Sequence, residues 1–135
     1  MTSKVTYKGS LRTECEHLKS GNTFITDAPT DNNGKGEAFS PTDTVATALA
    51  SCMLTVIGIK ANQSGFMIDG AYAEVIKTMA SNPRRISKLE VNLTFPKSYD
   101  DKTKKIIEHT AETCPVHYSL HPDIEKIVKF FYLDE

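Results

Sequence analysis

Three cysteines, Cys15, Cys52 and Cys114, are the side chains of this sequence best suited to redox chemistry. Cys52 and Cys114 both fall on apolar faces of predicted helices, so packing of the two helices would bring their thiols together as a redox couple. The alternative is that both are small core hydrophobes, as buried free cysteines usually are. The residues by themselves leave both interpretations open.

The two thiols differ in what their neighbours along the chain offer them. If Pro115 opens a new helix, Cys114 lies beside free backbone N–H groups, which stabilise a thiolate. Cys52 lies in the middle of a long apolar helix, where no helix terminus is near. Cys52 would therefore need a cationic partner from elsewhere in the fold to act as a nucleophile.

The spacing of one cysteine and two histidines also suggests a metal site. Cys114, His117 and His121 follow the pattern Cys-x2-His-x3-His, which a helix would bring to one side, and three ligands leave an open position on zinc. No acidic partner for these histidines is evident, and Pro122 disrupts the geometry after His121. We therefore predict no metal and keep zinc as a remote alternative.

Length and net charge indicate how many domains the chain has and which binding partners are not expected. The 135 residues predict a single domain spanning 1–135, and 16 basic against 17 acidic residues leave a net charge of −1. This balance does not favour binding to nucleic acid or to an anionic membrane. The first residues contain no apolar leader, and the apolar stretch 45–59 is shorter than the roughly 20 residues that span a bilayer. We expect a cytoplasmic protein with reduced thiols.

The hydrophobic periodicity and turn residues predict strands and helices in a definite order. A Ser40-Pro41 start and Asp43, three residues after Ser40, predict a capping box that opens the long helix. The pattern favours an α+β fold with a mostly antiparallel sheet. The predicted elements are strands at 5–7, 11–17 and 23–26 (the last two as a hairpin), a helix from 41 to about 62, strands at 71–79 and 86–95, a helix at 100–114, a short helix or turn at 115–120 and a strand at 124–133.

The long helix is apolar on nearly every side. Such a helix is expected to be buried all round, in a core or in a subunit interface. A chain of this size has a small core, so dimerisation would help to stabilise it.

Two motifs carry a resemblance to a known family. Residues 40–53 (SPTDTVATALASCM) resemble the first cysteine motif of the OsmC/Ohr family, the osmotically inducible and organic hydroperoxide resistance proteins, and Cys114-Pro115-Val116 resembles the second. The separation of the two cysteines and the order of the predicted elements also fit. The resemblance covers essentially the whole chain and is carried by both motifs together.

The resemblance implies an OsmC-like fold, an intertwined homodimer with its central helices back to back, and a thiol-dependent peroxidase. Cys52 would be the peroxidatic cysteine that reduces an organic hydroperoxide and becomes a sulfenic acid, and Cys114 would resolve it as a disulfide. A lipoyl-type dithiol would restore both thiols. No metal, haem or flavin cofactor is implied.

In the hydroperoxide-resistance branch of the family an Arg stabilises the thiolate and a Glu orients that Arg. The Arg position falls at or near Arg12, whereas the Glu position holds the neutral Thr42. The predicted catalytic residues are therefore Cys52, Cys114 and Arg12, in an OsmC-like subgroup with weaker or different activity. The alternative is a noncatalytic protein of the same fold that binds a small apolar ligand at the dimer crevice.

Overall fold

The computed structural model describes residues 1–134, and its elements follow the predicted order in an α+β fold. A single 3₁₀ turn at Thr30–Asn32 interrupts the predicted loop before the long helix. The described chain divides into two compact units, residues 1–45 and a second that begins at Ala46. The elements are β1 (Ser3–Gly9), β2 (Arg12–His17), β3 (Thr23–Asp27), α1 (Pro41–Ser64), β4 (Tyr72–Ala80), β5 (Arg85–Phe95), α2 (Asp101–Ala111), α3 (Pro115–Ser119) and β6 (Glu125–Tyr132).

The first unit contains a three-stranded antiparallel sheet in the order β1-β2-β3. The predicted hairpin of β2 and β3 is confirmed. Cys15 lies between Val5 on β1 and Phe24 on β3 in the register of the strands, which places the three side chains in one row across the sheet. The same register sets Arg12 opposite Asp27, the last residue of β3.

The second unit contains a second three-stranded sheet in the order β4-β5-β6. The pairing of β4 with β5 is antiparallel, in line with the predicted mostly antiparallel sheet, but β6 runs parallel to β5. A parallel neighbour requires a crossover connection, and α2 and α3 supply it. The expected mostly antiparallel sheet is therefore two separate sheets, one of which has a parallel edge strand.

The predicted capping box opens α1. The Ser40 hydroxyl accepts from the backbone N–H of Asp43 at 3.0 Å, and a carboxylate oxygen of Asp43 accepts from the backbone N–H of Ser40 at 3.0 Å. Two of the N–H donors that a helix start leaves without partners are satisfied in this way. Beyond the other end of α1, Gly65 has φ +80°, a backbone conformation that glycine adopts without strain.

Within one chain α1 buries a single face, so burial all round would require a second subunit against its other faces. The buried side chains recur at helical spacing, while Val45 and Ile59 on other faces are exposed. By length and composition alone α1 could also cross a membrane, a test that core helices of soluble proteins pass as well. The buried residues are Ala46, Leu49, Ala50, Met53, Ile57 and Ala61.

The core of the second unit forms where this face of α1 meets β5 and α2. Leu89, Val91, Leu93 and Phe95 alternate along β5 and are fully buried. Each such side chain stabilises the fold by about 1.5–3 kcal/mol relative to its exposed state. The core determines which residues of α1 and of the α2–α3 segment come into contact.

Candidate dithiol site

The structure brings Cys52 and Cys114 close together within the second unit, near enough for each thiol to influence the other. Cys52 is half-buried on α1, and Cys114, which directly precedes α3, is completely buried. Both belong to the cluster of side chains around the α1 core. Of the three free cysteines, the predicted pair is the one that lies together, whereas Cys15 is on β2 in the first unit.

Cys114 is the N-cap residue of α3. Its backbone is extended (φ −64°, ψ 129°), the conformation expected of a residue ahead of proline, and Pro115 occupies the first turn of the helix. The backbone N–H of His117 donates to Cys114 Sγ at 3.3 Å. The predicted break at Cys114-Pro115 is thus present, although α2 already ends at Ala111 and a turn over the next two residues completes the segment.

Burial raises the pKa of the Cys114 thiol, and contact with Cys52 raises it further. The backbone N–H groups of Val116 and His117 lie beside the sulfur, as the sequence predicted, and they act in the opposite direction. Their effect is smaller than the cost of placing a charge in the core. Cys114 is therefore held as a protonated thiol rather than as a thiolate.

Arg12, the predicted cationic residue, is held by two acidic side chains in the first unit. Its Nε and Nη2 donate to Asp27 Oδ1 and Oδ2 at 2.7 and 2.8 Å, and Nη2 also donates to Glu37 Oε1 at 3.1 Å. The bidentate geometry is the strong form of this ion pair. The guanidinium consequently has a fixed orientation, and its one remaining terminal nitrogen, Nη1, is not used in these bonds.

Asp27 is the buried member of this group, with a side chain only 1% exposed. Hydrogen bonding to Arg12 lowers the pKa of Asp27, and the backbone N–H of Glu37 donates to Asp27 Oδ2 at 3.1 Å. Because the folded-state pKa is lowered, the ion pair stabilises the fold above the ordinary carboxyl range, and this contribution is lost as pH falls through the lowered value.

Sequence reasoning missed Asp27 and Glu37. The predicted strand ended at Thr26, one residue short of Asp27. Reading the hairpin register outward from its turn would have set Asp27 opposite Arg12. Glu37 lies in a loop, where the sequence offers no comparable signal. Thr42, at the position where the family pattern has Glu, lies in the first turn of α1 near the Ser40 hydroxyl.

The residues of the zinc alternative are not gathered into a metal site. Among residues 1–134 no group of three or more His, Cys, Asp or Glu side chains is arranged to hold a metal ion. His121 is exposed, and its Nδ1 accepts from the backbone N–H of Asp123 at 3.0 Å. His117 Nδ1 is buried and has no hydrogen-bond partner within the described chain.

Comparison with known proteins supports one family. The model of the OsmC-like protein family matches residues 34–128. No curated protein sequence matches the chain significantly. Among solved structures, a protein from Psychrobacter arcticus 273-4, provisionally named an osmotic stress induced and detoxification response protein, shares 59% identity over 96% of this chain and 95% of its own, with a TM-score of 0.94.

More distant structures share the fold. An organic hydroperoxide resistance protein OsmC from Legionella pneumophila is 17% identical over 97% of both chains, with a TM-score of 0.72. An organic hydroperoxide resistance protein from Elizabethkingia anophelis is 13% identical over 98% of this chain and 96% of its own, with a TM-score of 0.75. These two likenesses support the α+β architecture of two sheets with helices.

The buried, protonated state of Cys114 predicts its reactivity. In the native protein we expect iodoacetamide to alkylate Cys114 far more slowly than the half-buried Cys15, because the reagent needs both access and a thiolate. Peptide mass spectrometry over a time course measures both rates. In urea the two rates should converge, and a native Cys114 that reacts as fast as Cys15 would contradict the buried placement.

Proposed function

The chain belongs to the OsmC-like protein family, and from this premise we propose that it is a thiol-dependent peroxidase that reduces organic hydroperoxides in the response to oxidative stress. The observation that carries the proposal is that Cys52 and Cys114 lie close together in one cluster of side chains. The names of the Legionella and Elizabethkingia proteins point to the same chemistry. We further propose that the protein acts in the cytoplasm and needs no metal or organic cofactor.

In the proposed reaction the Cys52 thiolate attacks the terminal oxygen of the hydroperoxide. A sulfur–oxygen bond forms, the oxygen–oxygen bond breaks, and the alkoxide leaves as the alcohol after taking a proton. Cys52 is then a sulfenic acid. The Cys114 sulfur attacks the Cys52 sulfur, the hydroxyl group leaves as water with the Cys114 proton, and a disulfide remains. A lipoyl-type dithiol reduces this disulfide by exchange.

The different environments of the two thiols fit this division of labour. Cys52 is half-buried and is therefore the more exposed of the two residues to a hydroperoxide. Cys114 is completely buried and retains its proton because its pKa is raised. A resolving thiol needs no direct access to the substrate, only to the sulfenic acid on its neighbour. Its position against Cys52 provides that access.

We propose that Arg12 stabilises the Cys52 thiolate. Asp27 and Glu37 orient its guanidinium, which is the role that the family pattern gives to a Glu at the position of Thr42. A neutral residue at that position is then compatible with activity, since the orienting carboxylates come from the end of β3 and the following loop.

We also propose that the chain forms an intertwined homodimer around α1. Large apolar side chains are exposed in both units of the single chain. Val5 and Phe24 are 61% and 50% exposed, and Ile59 on α1 is 54% exposed. A second copy would remove this surface from water.

Three cysteine variants test the division of labour. Cys52→Ser should abolish turnover of cumene hydroperoxide with dihydrolipoamide as reductant. Cys114→Ser should still permit one oxidation and trap a sulfenic acid on Cys52, which a dimedone-type probe labels and mass spectrometry locates. Cys15→Ser is the matched control and should keep full turnover. An unlabelled Cys52 in the Cys114→Ser protein would reject the peroxidase and favour the noncatalytic ligand-binding alternative.

Substitutions of Arg12 test whether it stabilises the Cys52 thiolate. Arg12→Ala should slow the oxidation of Cys52 roughly ten- to a hundredfold, the effect of losing one charge-assisted contact. The truncation leaves the buried Asp27 carboxylate without its partner, so the Arg12→Gln, Asp27→Asn double variant separates lost activity from lost stability. Stopped-flow oxidation measures the rate, and thermal unfolding checks the fold.

The matched control for Arg12 is Arg85→Ala, because the exposed Arg85 donates only to the carbonyls of Ser81 and Pro83 in the described hydrogen bonds. Its oxidation rate should equal that of the wild type. A full rate in both Arg12 variants would show that another cation activates Cys52. Loss of rate in Arg84→Ala or Arg85→Ala would identify it.

The homodimer predicts a two-chain mass in sedimentation velocity at micromolar concentration. Phe24→Glu, which places a charge on the exposed apolar row of the first sheet, should weaken the dimer, and Lys105→Glu on α2 serves as the charge-change control. A folded wild-type monomer under these conditions would rule the dimer out.

A further inference from the structure

His117 is a half-buried histidine beside the dithiol to which the proposed peroxidase chemistry gives no role. It is the third residue of α3, and Cys114 directly precedes that helix. Side chains three positions apart at the start of a helix lie next to each other. The spacing therefore places the imidazole of His117 alongside the thiol of Cys114.

A hydrogen bond between the two residues fixes this arrangement. The backbone N–H of His117 donates to Cys114 Sγ at 3.3 Å. The imidazole belongs to the same residue as this N–H, so no more than the length of one side chain separates the ring from the bonded sulfur. The sulfur and the ring are neighbours in every rotamer of His117.

One ring nitrogen of His117 is placed inside the protein without a partner. Nδ1 is buried and has no hydrogen-bond partner within the described chain, although the residue as a whole is partly exposed. The Nδ1 edge of the ring therefore faces the interior. A buried polar atom without a partner destabilises the fold, and one reason for such an atom to be present is a role in catalysis.

The resolving step of the proposed reaction needs a base at this point. Cys114 is completely buried and keeps its proton, because burial raises the pKa of its thiol. The attacking species in disulfide formation is a thiolate, so the proton has to leave Cys114 as the sulfur–sulfur bond forms. The neighbouring imidazole is the type of side chain that accepts and releases protons near neutral pH.

We propose that Nδ1 of His117 accepts the proton of Cys114 during the resolving step. The Cys114 sulfur attacks the Cys52 sulfur and the sulfur–oxygen bond of the sulfenic acid breaks. The departing hydroxide takes the proton from the imidazolium and leaves as water. Cys114 is oxidised and the Cys52 sulfur is reduced as the disulfide forms. The proposal rests on the proposed function and adds a proton acceptor to it.

His117→Gln tests the proposal, because glutamine suits the third position of a helix as a capping partner but cannot take up a proton at neutral pH. With one equivalent of cumene hydroperoxide, Cys52 of the variant should form its sulfenic acid at the wild-type rate. The disulfide should then form roughly a hundredfold more slowly, the lower end of what a positioned base contributes. A dimedone-type probe added at timed intervals measures the sulfenic acid, and mass spectrometry measures the disulfide.

His121→Gln is the matched control, since it makes the same change at an exposed histidine that follows α3. Both steps should proceed at the wild-type rate in this variant. A slow disulfide step in His121→Gln as well would show that the effect is not specific to His117, and it would overturn the proposal.

The pH profile of the disulfide step separates proton transfer from packing. In the wild type the rate should level off as pH rises and the imidazole becomes neutral. In His117→Gln it should continue to rise with pH, because only the small thiolate fraction of Cys114 reacts. Tyr118, whose ring meets that of His117 edge-on at 6.0 Å between centroids, is the other titratable side chain in contact with it among the described ring contacts. Tyr118→Phe should keep the wild-type profile, and a profile that follows this substitution would assign the proton to the phenol and overturn the proposal.

Three further results would overturn the proposal and leave the peroxidase intact. They are a wild-type disulfide rate in His117→Gln, an equal slowing of both steps, and a pH profile that His117→Gln does not change. If Cys52 of the wild type is not oxidised, or if it is oxidised and forms no disulfide with Cys114, the proposed function fails and this proposal fails with it.

Discussion

The packing of one face of α1 against β5 and α2 is the constraint on which the dithiol depends. Leu49, Met53 and Ile57 are completely buried, so the rotation of the helix about its axis is determined by the core. Cys52 then faces the segment between α2 and α3 because of its position on the helix. The extended backbone that Pro115 imposes on Cys114 directs the second thiol toward it. The packing of the core therefore brings the two thiols together.

Burial has opposite consequences at the two polar centres of the molecule. At Cys114 it raises the pKa, because the core offers only weak N–H donors to a thiolate. At Asp27 the charged form persists, since a bidentate guanidinium and a backbone N–H replace the water that was lost. The difference is the strength of the available partner. Cys114 therefore stays protonated, whereas Asp27 stays charged and holds Arg12 in a fixed orientation.

The chain also leaves much apolar surface uncovered. On the first sheet the exposed Val5 and Phe24 lie in one row with Cys15, so they form a contiguous apolar patch, and Ile59 is exposed on α1. The homodimer that we propose is one way of covering such surface. The pocket beside the row on the first sheet is largely apolar as well.

Local chemistry made much of the fold predictable from the sequence. Four local features predicted their elements correctly: the capping box at Ser40 and Asp43, the glycine beyond α1, the alternation along β5 and the proline after Cys114. Each of them acts through near neighbours in the chain. The two cysteine motifs correctly indicated the protein family. Tertiary structure alone decided what depends on distant partners: the parallel pairing of β6, the exposed side of α1, the contact of Glu37 with Arg12 and the protonated state of Cys114. Strand order and burial arise from residues far apart in the chain, so no local pattern contains them.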